Sequence, residues 1–135
     1  MQNLIYALIQ LIHNFGAAAV AGTAASALWL VRGSVAVRHR MALFMAIAWA
    51  IQIASGMLFG ITTYYFERHL PDIHGTAVDA LLVKICCAVA GFVLAAAYVR
   101  LNPGWTESRQ LLAWRVLLTL GVIALGSAAF LRWFS

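Results

Sequence analysis

The sequence predicts an all-α integral membrane protein, an antiparallel four-helix bundle in a single domain covering residues 1–135. Three observations carry this. Hydrophobic residues make up 64% of the 135-residue chain and charged residues 10%, against about 45–50% and about 25% in soluble domains. The mean hydropathy is +0.91. The apolar residues fall into four long runs separated by short polar stretches. So little charge cannot cover a water-facing surface, which argues against a soluble enzyme, a nucleic-acid module and a disordered tail.

The first run extends from about Leu4 to Val31 and ends at Arg32, and the second from about Met41 to Phe66 after the basic turn Arg38-His39-Arg40. The third extends from about Thr76 to Val99 and ends at Arg100, and the fourth from about Leu111 to Phe134. A bilayer core takes roughly 20 helical residues, so each run is long enough to cross it. Backbone groups in lipid must bond within their own segment, which selects helix over open strand. Pro71 and Pro103 fall between runs, where they cost no helical hydrogen bond. The first run has no basic stretch before it and no cleavage site with polar sequence behind it, so it is expected to be retained as a helix.

Orientation follows from arginine placement. Arg32, Arg38, Arg40, Arg100, Arg109 and Arg115 fall on one side, Arg68 and Arg132 on the other. The richer side is expected to be cytoplasmic in a bacterial-type inner membrane, with both termini and the second connection periplasmic. A net charge of +5 is then explained by topology, and no nucleic-acid partner is expected. Short connections favour an up-and-down bundle whose first and third helices face each other across the core. Gly56 and Gly60 form a GxxxG, and Ala18, Gly22 and Ser26 a similar small-residue row. Such rows let helices approach closely in lipid, either within the chain or against other membrane subunits or a second copy. Trp29, Trp49, Trp105, Trp114, Trp133, Tyr64 and Tyr65 are expected at the interfaces as aromatic belts.

His13 is the leading site residue. It lies deep in the first helix, about 28 Å from the Arg32 boundary, and an ionisable group at membrane depth is a functional candidate by default. Imidazole ligates haem iron and borderline metals. Ala17, Ala21 and Ala24 follow at helical spacing, which would leave room for a flat macrocycle; the alternative is a packing histidine bonded to a neighbouring helix. His69 and His74, with Glu67, Asp72 and Asp79 around them, form a possible metal set on the same side. An axial His13–His74 pair must absorb a depth difference, since His13 precedes Arg32 by 19 residues and His74 precedes Arg100 by 26. Met57 lies at a depth similar to His13 and is a soft ligand candidate for copper or haem. Lys84, inside the third helix, must find a counter-group or snorkel, with Asp79 or an anionic ligand as candidates. Gln52 is expected to bond across helices. Cys86 and Cys87 are adjacent, form no CxxC, and are expected to serve packing. No nucleophile–base pair, phosphate loop or paired carboxylates supports a hydrolase or kinase, so electron transfer or metal handling is expected rather than stand-alone catalysis.

The segment Leu11-Ile12-His13-Asn14-Phe15-Gly16-Ala17, the pair Ser55-Gly56 in the second helix and Leu81-Leu82-Val83-Lys84 in the third together resemble the CopD-like (copper-resistance D) membrane family and its small four-helix relatives. The resemblance implies a protein that binds haem b or handles copper through membrane histidines, with His13 and His74 as ligand candidates and Lys84 as a supporting polar residue. The rival expectation is a cofactor-free accessory subunit of a larger membrane complex.

Overall fold

A computed structural model describes residues 1–30, 35–68 and 75–134. It contains four long helices, α1 (Gln2–Trp29), α2 (Val35–Glu67), α3 (Thr76–Leu101) and α4 (Glu107–Phe134), with a short 3-10 turn at Asn102–Gly104. All four are long and apolar enough to cross a membrane, and their sequences are rich in Ala and Leu, which lose little side-chain freedom in a helix. The protein is thus a multi-pass membrane bundle whose exposed leucines, isoleucines and phenylalanines suit a lipid environment.

The helix ends follow local chemistry. Leu30 closes α1 by donating its N–H to the Ser26 carbonyl at 2.9 Å. Arg68, at φ 60°, ends α2 in the left-handed conformation and donates its N–H to Tyr64 at 3.0 Å. Gly75 takes φ 56°, and its carbonyl accepts the N–H groups of Val78 and Asp79 to open α3. At α4 the Thr106 hydroxyl accepts the Arg109 N–H at 3.3 Å, an N-cap. One boundary departs from expectation. Arg38, His39 and Arg40 are not a turn but the first turns of α2, because nothing in that stretch breaks a helix.

Around the bundle α1 packs on α2, α2 on α3, α3 on α4 and α4 on α1, so α1 and α3 occupy opposite corners as the short connections predict. Cross-helix pairs give the sense of each contact. Tyr6 meets Thr63 and His13 meets Ser55, numbers that rise on one helix and fall on the other, so α1 and α2 are antiparallel.

The apolar core sits in the arginine-rich half. It comprises Val20, Ala24 and Ala27 of α1, Ala42, Met45, Ala48 and Trp49 of α2, Ala95 and Tyr98 of α3, and Ala113, Trp114 and Leu117 of α4. Tyr98 lies edge-on to Trp105 and Trp114 at centroid distances of 5.8 and 5.4 Å, a geometry aromatic quadrupoles favour. Trp49 and Trp114 therefore correct the interfacial expectation: both are buried, with indole N–H groups lacking an acceptor. Trp29, Tyr64 and Tyr65 remain exposed near helix ends.

Glycine use also differs from expectation. A Cβ on Gly91 would enter the Trp49 ring, one on Gly16 would strike the Gln52 amide, and one on Gly121 would lie 3.1 Å from Val20 Cγ1. These three positions admit the neighbouring helices. A Cβ on Gly22, Gly56 or Gly60 would meet nothing within 4 Å among the described residues, so the GxxxG makes no close helix approach there. Gly91→Ala is expected to lower stability by about 1–3 kcal/mol through overpacking. Gly56→Ala should leave it unchanged or raise it by up to about 1 kcal/mol through helix propensity. Unfolding in mixed micelles, followed by tryptophan fluorescence, checks both.

Candidate functional site

The half of the bundle away from the arginines holds a layer of polar side chains from three helices. On α2 the core-facing stripe begins Arg38, Ala42, Met45, Trp49 and Gln52, all buried, spaced alternately by four and three residues. It continues to buried Ser55, so apolar residues give way to polar ones along a single face. On α3 the stripe Lys84, Cys87, Gly91, Ala95 and Tyr98 likewise advances by three or four residues, with Lys84 half-buried and the others buried. His13 of α1, half-buried, stands where these stripes converge.

Both ring nitrogens of His13 have partners. Nδ1 lies 2.7 Å from Ser55 Oγ, and Nε2 lies 2.8 Å from Lys84 Nζ. With Lys84 as an ammonium, which only donates, Nε2 accepts and Nδ1 carries the proton and donates to Ser55. Ser55 Oγ in turn donates to the Ile51 carbonyl at 2.6 Å, with the Gln52 carbonyl further off at 3.3 Å. In that protonation state the bonds run one way: Lys84 to His13, His13 to Ser55, Ser55 to the α2 backbone. Gln52 adds a clamp by donating Nε2–H to the His13 carbonyl at 2.6 Å. Absence of a Cβ at Gly16 lets this amide approach. Nearer the helix ends the Tyr6 hydroxyl donates to Thr63 Oγ1 at 3.1 Å, and Thr63 donates to the Phe59 carbonyl at 3.0 Å.

Lys84 reaches His13 diagonally across the bundle from α3 to α1. Its long apolar stem crosses the interior while the ammonium finds an acceptor. Lys84 meets His13 rather than Asp79, which is exposed in the first turn of α3. The structure thus brings together His13, Lys84 and Gln52, and adds Ser55, whose role the stripe on α2 signals once its register is known. Met57 is a correction. It is 63% exposed, two residues beyond Ser55 and so about 200° around the helix from it, facing away from His13. His69, His74 and Asp72 lie outside the described residues. Cys86 is exposed and Cys87 buried, so packing describes Cys87 alone.

The small-residue row after His13 is also taken up differently. Gly121 of α4 packs on it, its Cβ position 3.9 Å from the Ala21 backbone, and Ala24 lies fully buried in the core. Among the described residues no group of three or more His, Cys, Asp or Glu side chains could hold a metal; the nitrogen donors that meet are His13 and Lys84.

Fold and site define a small polytopic membrane protein with an ammonium–imidazole–hydroxyl chain inside its bundle. Comparison with protein-family models, curated proteins and solved structures finds no match to this chain.

The tautomer provides a direct check. Solid-state 15N spectra of protein labelled at histidine are expected to show His13 protonated at Nδ1, and Ser55→Ala should shift that nitrogen most. A ring protonated only at Nε2 would show that Lys84 does not donate to it.

Proposed function

We propose that the protein handles copper in a bacterial-type inner membrane, taking the ion at His13 as cargo rather than as a resident cofactor. The observation that supports this best is the 2.8 Å contact between Lys84 Nζ and His13 Nε2. It joins two residues that the resemblance singles out, from opposite corners of the bundle. Imidazole is a good donor to copper, and the Nε2 lone pair is the one such an ion would use. In the arrangement described, that lone pair is engaged by an ammonium. Metal and ammonium therefore compete, which makes for weak binding. Weakness suits a site that must release what it takes up, as at sites that conduct ions. Ser55 orients the ring in the manner of outer partners of metal-bound histidines.

Haem b is less well supported. Both ring nitrogens are engaged, and Gly121 of α4 packs against Ala21 in the small-residue row. The accessory-subunit reading draws support from a different observation: Gly56 and Gly60 point away from the rest of the chain, toward where a partner helix would pack.

Copper retention by the purified protein, measured by elemental analysis after titration and dialysis, tests the proposal. Wild type is expected to bind weakly, His13→Ala not at all. Lys84→Leu should bind about ten-fold or more tightly, because it removes a like charge from a site of low dielectric constant without adding a donor. Equal copper in wild type and His13→Ala overturns the assignment. A visible haem band lost in His13→Ala would favour haem instead, and neither cofactor with stable co-purifying subunits would favour the accessory role.

The proposed orientation places the α2–α3 connection outside. In a background with Cys86 and Cys87 replaced by serine, Glu67→Cys is expected to react with an impermeant thiol reagent in intact cells. Reaction only after lysis would reverse the topology.

A further inference from the structure

A second site lies at the opposite, arginine-rich end, on the outer surface between α1 and α2. Ala19, Gly22, Thr23 and Ser26 of α1 and Val37, Arg40, Met41 and Phe44 of α2 line an open groove of about 470 Å³. Gly22 forms part of its floor, and nothing lies within 4 Å of the position a Cβ would take there. The groove is apolar along most of its length, with the two α1 hydroxyls and the exposed Arg40 as its polar groups. Because α1 and α2 both span the membrane by length and composition, the groove opens sideways into lipid.

Charge at this end is one-sided. Arg38, Arg40, Arg100, Arg109 and Arg115 stand against Glu107 as the acid near the same end. Arg38 faces the core at 3% exposure, two residues and so about 200° around α2 from Arg40, which makes Arg40 the cation that lines the groove. The chain supplies little negative charge at this end, so an external anion would complement Arg40.

We infer that this groove binds an anionic phospholipid, its phosphate at Arg40 within the positive field of the arginine-rich end and an acyl chain along the cleft past Gly22 and Phe44. The shape favours this occupant over a free anion, since the apolar length of the groove would be wasted on phosphate alone. It favours it over a second copy of this chain because a cationic rim repels its own copy. This inference is independent of copper handling, since His13 and Lys84 lie in the other half of the bundle.

Native mass spectrometry of the delipidated protein in detergent provides the test, with dioleoyl phosphatidylglycerol and dioleoyl phosphatidylcholine as probes. Wild type is expected to retain phosphatidylglycerol about five-fold more strongly, the effect of one arginine near anionic lipid. Arg40→Gln should bring the two lipids to near parity, and Gly22→Leu, which fills the groove, should weaken both. Arg132→Gln, at the other end, should change neither. Equal retention of the two lipids by wild type, or an undiminished preference in Arg40→Gln, would overturn the inference. So would a dimer that Gly22→Leu abolishes, which would assign the groove to a second copy.

Discussion

Inside a bilayer there is no water to satisfy a polar group, and that single constraint shapes this bundle. Each backbone N–H and C=O must bond within its own helix, which accounts for the long uninterrupted segments and for prolines held between them. Polar side chains face the same requirement. Ser55 and Thr63 return their hydroxyl protons to carbonyls one turn back, so each can accept from a neighbour while remaining satisfied. His13 uses both ring nitrogens, and Gln52 spends its amide on the backbone carbonyl of His13. Polar residues thereby tie α1, α2 and α3 together at one level.

The two halves of the bundle hold together by different means. In the arginine-rich half, large aromatic side chains fill the space among small ones, as Trp49 does over Gly91 and Trp114 beside Tyr98. Packing of this kind supplies contact energy where lipid offers no hydrophobic drive for helices to associate. In the other half, directional bonds join the close approach at Gly16. Sequence patterning places that change on one face of α2, between Trp49 and Gln52, so a single helix carries both modes.

Much of the architecture was legible in the sequence because its causes are local. Four apolar runs, arginine at their ends and proline only between them determine four spanning helices without reference to any contact. The diagonal relation of α1 and α3 follows from short connections alone. His13, Lys84 and Gln52 stand out because each is polar at membrane depth, which is costly without purpose. Boundaries were less legible: α2 begins six residues before the apolar run does, since arginine and histidine form helix as readily as they mark an interface.

Tertiary structure alone decided which residues meet. Sequence spacing cannot choose among rotations of one helix against another, and a rotation of half a turn separates Ser55, which bonds His13, from Met57, which faces outward. The same uncertainty attached to the glycines. Gly56 and Gly60 have the conspicuous spacing, yet Gly16, Gly91 and Gly121 carry the close approaches, because only the facing side chain determines where a missing Cβ matters. Composition and periodicity thus determined that this chain spans a membrane four times and carries a histidine and a lysine within it. Helix rotation and depth, set by how large and small side chains interlock, decided that the two would join.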